Sequence, residues 1–342
     1  MPPRTIVYVS CADDQHITTL AFDQTTGALR ELDRTEVPGT DARSAGSLPL
    51  AISPDRSRLY AGLRAEPWPV ASFAIHPTTG KLTLLSLATL ADSMCYLSTD
   101  ATGRTLFSAS YSGARLAANP ITENGLAGDP AQILATPPKA HSALPSPDNR
   151  FHYAASLGGD AILCQAFDAA TGRLAPAVQV AARTPAGAGP RHLAFGQGGR
   201  VLYVVNELDG TIITYGRDPD TGALAQRQIV SLLPPAVPLP VAAADIHVTA
   251  DGRFLYASER LTDTLNGFAI DPTTGTLTPL CRVPSEPTPR GFAIAPSGRF
   301  LLCAGLGSGR LGCYAIEPDG VLVPTGAIAV GRGANWVEII EL

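Results

Sequence analysis

One short turn recurs seven times along this 342-residue chain, and it constrains the fold more than any other feature. It reads DQTTGAL, HPTTGKL, ITENGL, DAATGRL, DPDTGAL, DPTTGTL and EPDGVL, with glycines at 27, 80, 125, 172, 222, 275 and 320. The intervals are 53, 45, 47, 50, 53 and 45 residues. A glycine in that place supplies the positive φ that a tight turn demands, and the Pro, Asp or Thr before it starts the turn. A second turn falls about half a repeat away: SPDRSR, STDATGR, SPDNR, GQGGR, TADGR and APSGR. A short apolar strand precedes each of these, and a longer one (RLYAGL, FHYAAS, VLYVVN, FLYASE) follows. Each repeat is therefore four short strands, A to D, with polar turns joining A to B and C to D. Periods of this length mark arrays whose units bury their faces only against neighbours.

The A–B turn occurs six times, because the first repeat begins directly at strand B, Ile6–Ser10. The chain ends in a strand without a partner, NWVEIIEL (335–342), which can serve as the missing strand A. That exchange closes a ring and removes exposed sheet edges. The expectation is an all-β, seven-bladed β-propeller with four antiparallel strands per blade, one domain over residues 1–342. Two β-sandwiches would interrupt the repeat near the middle, and a (β/α)₈ barrel would need amphipathic helices that no window supplies. The 33 glycines and 30 prolines fit a chain of many tight turns. The segment Leu232–Val241 reads as an enlarged loop at the rim.

The net charge is −5, with no basic patch, which argues against a nucleic-acid partner. No apolar run reaches the roughly 18 residues of a membrane span, and Met1–Ser10 lacks the order of a signal peptide. Six scattered cysteines show no CxxC pair or zinc spacing and read as reduced thiols. A cytoplasmic monomer without cofactor, metal or membrane contact is the expectation.

In an antiparallel blade the A–B and C–D turns share one face of the disc, and the D–A and B–C connections share the other. Residues beginning strand A and residues ending strand B thus converge on one mouth of the axial channel. The starts of strand A contain His141, Arg191, His192, Asp245, His247, Arg290 and Trp336, and the ends of strand B contain Arg64, Glu207 and Arg260. The opposite turns hold only ordinary turn residues. His16, His76 and His152 read as surface or packing residues. His141, Arg191, Glu207 and Arg260 form the catalytic candidates. His192, His247, Arg290, Arg64, Asp245 and Trp336 are candidates for substrate binding. Adding water to a carbonyl needs a water placed near it, a base for its proton, and donors for the oxyanion. Glu207 and His141 both suit the base, and spacing does not choose between them. The arginines are permanent forks for an oxyanion, a phosphate or a carboxylate. Of the hard-oxygen groups, Glu207, Asp245 and Asn206 lie near the mouth among cations, so no metal is expected.

The stretches AISPDRSRLYAG (51–62), AHSALPSPDNR (140–150), AGAGPRHLAF (186–195), VNEL (205–208), AADIHVTADGRFLYA (243–257), TPRGFAIAPSGRFL (288–301) and NWV (335–337) carry a resemblance. The chain resembles the seven-bladed propeller lactonases, the family of bacterial 6-phosphogluconolactonase and fungal carboxy-muconate lactonizing enzyme, with the bacterial enzyme the nearer. The resemblance implies a metal-independent hydrolase acting on a sugar lactone. It places the family's His on His141, its first Arg on Arg191, its Glu on Glu207 and its second Arg on Arg260. Two departures touch substrate-facing loops: SYSGARLAANP in the third repeat, and Arg64–Ala65–Glu66 leading into Pro67–Trp68–Pro69. A lactone-forming or rearranging isomerase using the same groups is one alternative reading. A non-enzymatic scaffold is another, although its usual Trp-Asp or kelch signatures are missing.

Overall fold

The computed structural model describes residues 4–234 and 240–342. Seven antiparallel sheets stand around one axis, each four strands deep. In the fourth sheet the outer strand is split into Arg173–Leu174 and Gln179–Arg183. Numbering the blades by their second strands, the inner strands A are Ala334–Glu341, Leu50–Ile52, Met94–Thr99, Ala140–Pro145, Pro190–Gly196, Ala243–Val248 and Pro289–Ile294. Each inner strand touches the inner strands of the blades on both sides, which makes the ring continuous. Closure occurs as the repeat count implies: Ala334–Glu341 pairs antiparallel with Thr5–Cys11, from Cys11 opposite Ala334 to Thr5 opposite Glu341. The only helical element among the described residues is one 3₁₀ turn, Gln197–Gly199. Of the expected rim loop at Leu232–Val241, residues 235–239 lie outside the described residues.

Burial follows from position in the blade. Strands B such as Val201–Asn206 and Phe254–Glu259 are buried along their whole length, because neighbouring blades cover both faces. Outer strands such as Leu29–Glu36 and Leu322–Ala329 are largely exposed. All seven turn glycines adopt positive φ, between 71° and 88°. In five blades that glycine has a second job. The hydroxyls of Tyr8, Tyr60, Tyr153, Tyr203 and Tyr256, on strands B, donate to the carbonyls of Gly80, Gly125, Gly222, Gly275 and Gly320 in the next blade, at 2.7–3.0 Å. The recurring turn is thus also the acceptor of a buried inter-blade hydrogen bond.

A second repeated device shapes the axis. In six blades strand A carries one extra residue near its start, so its pairing with strand B slips there. The residues at the slip are Asn335, Cys95, His141, Arg191, Ala244–Asp245 (two opposite the single Ser258), and Arg290. A bulge breaks strict alternation and re-aims the side chain it adds. The step into strand A is itself left-handed in four blades, at Lys139, Gly189, Thr288 and Gly333, with φ of 62°, 68°, 56° and 71°.

Candidate active site

The bulges bring the basic residues to the axis. Arg191, in the bulge of blade five, has a side chain only 2% exposed, with its Nε 2.9 Å from Glu207 Oε2. Glu207 follows strand B of the same blade. Its other oxygen lies 3.0 Å from a terminal nitrogen of Arg260, which follows strand B of blade six. Both contacts are ion pairs off the hydrogen-bonding line. Arg191 also donates to the Ala244 carbonyl, and Arg260 Nε donates to the Ala242 carbonyl at 3.0 Å. Glu207 is held in place by its backbone N–H, which donates to Gly189 O at 2.7 Å. A side chain at Gly189 would collide with Leu208 as well as strain the turn.

Arg290, in the bulge of blade seven, and Arg64, after strand B of blade two, complete the basic group. Among the described residues neither has a carboxylate partner: Arg290 donates to Gly46 O at 3.3 Å and Arg64 to Ser93 Oγ at 3.2 Å. Burial and the charges of Arg191, Arg260 and Arg64 push the Arg290 guanidinium down to about 9. Burial and Arg260 push Arg191 down to about 10, against the opposing pull of Glu207. Two guanidiniums thus pair with one carboxylate and two more crowd near them without one, and like charges of that kind favour an anionic ligand. His141, in the bulge of blade four, sits beside them. Burial and Arg191 hold its imidazole well below its ordinary value, so it is neutral. Its Nδ1 has no protein partner among the described residues.

The remaining candidates lie deeper along the axis. The sequence reading groups all ten at one mouth; the structure divides them between levels. His192 and Asp245, one step further along strand A, meet across two blades, with His192 Nδ1 2.7 Å from Asp245 Oδ1. Tyr96, His192 and Trp336 pack edge to face or tilted, with centroids 5.2–6.0 Å apart, and His192 lies 5.2 Å from His141. Beyond them His247 and Trp336 line a cavity of about 430 Å³ together with Asp245, Tyr96, Phe292 and Glu338. The cavity extends toward the A–B turns, along Ile52, Thr99, Val248 and Ile339. His247 therefore belongs to this lower chamber and not to the mouth. Asp245 and His247 lie on the channel side while Ile246 between them is buried in the core, as alternation along the strand requires.

Several members of the site carried no assignment in the sequence reading. Burial raises Glu338 to about 7, with Trp336 Nε1 donating to it at 2.9 Å. Tyr111 follows strand B of blade three as Glu207 and Arg260 follow theirs, and its ring lies 5.9 Å from His141. Tyr96 follows the bulge residue Cys95 as His192 follows Arg191. Equivalence between repeats was the signal for both tyrosines. A tyrosine in an apolar strand looks like ordinary core, which hid it.

Fold and site together define a closed propeller whose axial mouth gathers arginine and histidine side chains. The family model described as lactonase, 7-bladed beta-propeller, matches residues 6–339, and the chain belongs to that family. It is 38% identical over 341 residues to a 6-phosphogluconolactonase of Pectobacterium carotovorum, covering 99% of both chains. It is 37% identical to a 6-phosphogluconolactonase of Serratia proteamaculans, covering 98% of this chain and 99% of the other. The solved structure of the periplasmic gluconolactonase of Pseudomonas aeruginosa superposes with a TM-score of 0.87 at 27% identity, over 98% of this chain and 99% of that one. The class of activity is lactone hydrolysis.

Proposed function

We propose that the protein hydrolyses a phosphorylated sugar lactone, 6-phosphogluconolactone in type, at the mouth formed by His141, Arg191, Glu207 and Arg260. The observation that carries this reading is the excess of guanidinium over carboxylate at the mouth, with Arg191 buried and Arg64, Arg260 and Arg290 partly so. Glu207 balances part of the charge of Arg191 and Arg260, while Arg64 and Arg290 are left for the substrate's phosphate. The names of the similar 6-phosphogluconolactonases support the same substrate class.

His141 is the base in this mechanism. Both oxygens of Glu207 are occupied by arginines, whereas His141 is neutral and its Nδ1 has no protein partner among the described residues. Water attacks the lactone carbonyl as His141 takes its proton, and Arg191 and Arg260 stabilise the oxyanion. The tetrahedral intermediate collapses, the ring C–O bond breaks, and the imidazolium returns the proton to the leaving alkoxide. The guanidiniums do the polarising, so no metal is required: the oxygens of Glu207 face arginines, and those of Asp245 face histidines and backbone N–H groups. Six free cysteines suit a reducing compartment, and we extend the proposal to a cytoplasmic, monomeric, single-domain enzyme.

Proton release from 6-phosphogluconolactone and from unphosphorylated gluconolactone, with and without EDTA, tests the reading. Expected is EDTA-insensitive turnover with kcat/KM favouring the phosphorylated lactone, and a loss of about 10²–10⁴-fold in H141A. Equal kcat/KM on the two lactones would remove the anion argument. Full activity in H141A would remove the base.

A further inference from the structure

The Asp245 carboxylate is the most heavily tied side chain on the axis, and lactone hydrolysis as derived above does not use it. Oδ1 accepts from His192 Nδ1 at 2.7 Å and from the N–H of Ile246 at 3.0 Å. Oδ2 accepts from His247 Nε2 at 3.2 Å and from the N–H of Phe292, in the next blade, at 3.1 Å. Three blades are thereby joined at one carboxylate. Burial opposes its charge, yet His247 and His192 hold it well below the ordinary carboxylate range.

The consequence falls on His192. Its Nδ1 faces a carboxylate with no proton of its own, so Nδ1 carries the hydrogen. Burial and the charge of Arg191 push its imidazole down to about 4, and the ring is neutral at neutral pH. A neutral ring with hydrogen on Nδ1 leaves a bare lone pair on Nε2. That Nε2 is buried and has no protein partner among the described residues, although His141 packs against the same ring. Buried acceptors are rarely left unmet, and one beside a ligand site is open to a ligand's donor. The mouth above it is rich in guanidinium donors, so an acceptor just below complements them: a sugar hydroxyl can donate to a group such as this one.

We propose that Asp245 is a positioning residue that locks His192 in its Nδ1–H form, so that Nε2 accepts a hydrogen bond from a hydroxyl of the lactone ring. This rests on the lactonase reading for its ligand, but not for the ring's tautomer. His192 then selects polyhydroxylated lactones over deoxygenated ones, a task separate from anion recognition by the arginines.

The test uses the full chain labelled with ¹⁵N-histidine, the His192 signals being assigned by difference with H192Q. At pH 7 the wild-type spectrum should show His192 neutral with hydrogen on Nδ1. In D245N the side-chain amide can donate to Nδ1, and the hydrogen should shift to Nε2. Steady-state kinetics of D245N on 6-phosphogluconolactone should then show kcat/KM lower by about 10–100-fold, carried mainly by KM. A cationic or Nε2–H His192 in the wild type would overturn the proposal, and that measurement stands even if D245N fails to fold. A shifted tautomer with unchanged KM would also overturn it. If the wild type turned over no lactone while the spectrum held, the substrate reading alone would fail.

Discussion

Arg191 shows how much the site depends on one side chain's shape. Its fork spans Glu207 and the Ala244 carbonyl from a buried position, and a lysine has one point charge to offer both. Arg191→Lys should lower kcat/KM on 6-phosphogluconolactone by roughly 10²-fold with the fold retained, as circular dichroism and steady-state kinetics can check. The histidines make a second prediction. His192 and His152 titrate near 4 in the fold because burial disfavours the cation, and His141 is also far depressed. Unfolded, each returns to about 6.5. Between those values the unfolded chain binds more protons, so stability is lost as pH falls from about 6.5 toward 4. Glu338, raised to about 7 by burial, works the other way: the fold keeps a proton that the unfolded chain releases, so its contribution fades as pH rises toward 7. Three histidines outweigh one glutamate, and the urea midpoint should drop on acidification from pH 6.5 to 4.5. His152→Gln should flatten that slope without altering turnover, since His152 packs on Phe107 near Gln165, away from the mouth.

At the scale of the strand, two repeated devices make the blades cohere. The tyrosine-to-glycine hydrogen bonds are buried and cross between blades, so Tyr203→Phe should cost about 1 kcal/mol in denaturant unfolding. Strand A of blade seven also passes close to strand A of blade one. A Cβ on Gly291 would lie 2.5 Å from the Asn335 carbonyl oxygen, which is backbone and cannot swing aside. Gly291→Ala should therefore destabilise by about 1–3 kcal/mol, visible as a lower urea midpoint. The change also presses on the strand that carries Trp336. The turns and strands were legible in the sequence because period, glycine and apolar runs are local signals. The bulges were not, because a bulge is a mismatch between two strands, and neither strand records it alone.

Taken whole, the molecule is a ring that stays closed through its last strand. Ala334–Glu341 pairs with Thr5–Cys11 along its length and packs against the inner strands on both sides. Ending the chain at residue 333 would expose an edge of blade one and the flanks of blades two and seven. The expected outcome is a shift to aggregated material by size-exclusion chromatography and a lowered unfolding temperature. Ring closure also explains the site, because groups from blades two, four, five, six and seven meet only when the circle is complete. An open ring should lose activity together with stability.

The number of blades, the strand order and the closing exchange could be read from the chain alone, since each depends on signals a few residues long repeated at one period. So could the identity of the basic mouth, because antiparallel topology sends every strand-A start and strand-B end to the same face. What needed three dimensions was depth along the axis and partnership across it. Arg191 and Arg290 reach the mouth, while Asp245 sits lower as a bridge between His192 and His247, because each blade inserts its extra residue into a pairing that only the folded sheet defines. Separation along the chain carries no trace of such contacts: Arg260 meets Glu207 only because two adjacent blades are turned to face one axis.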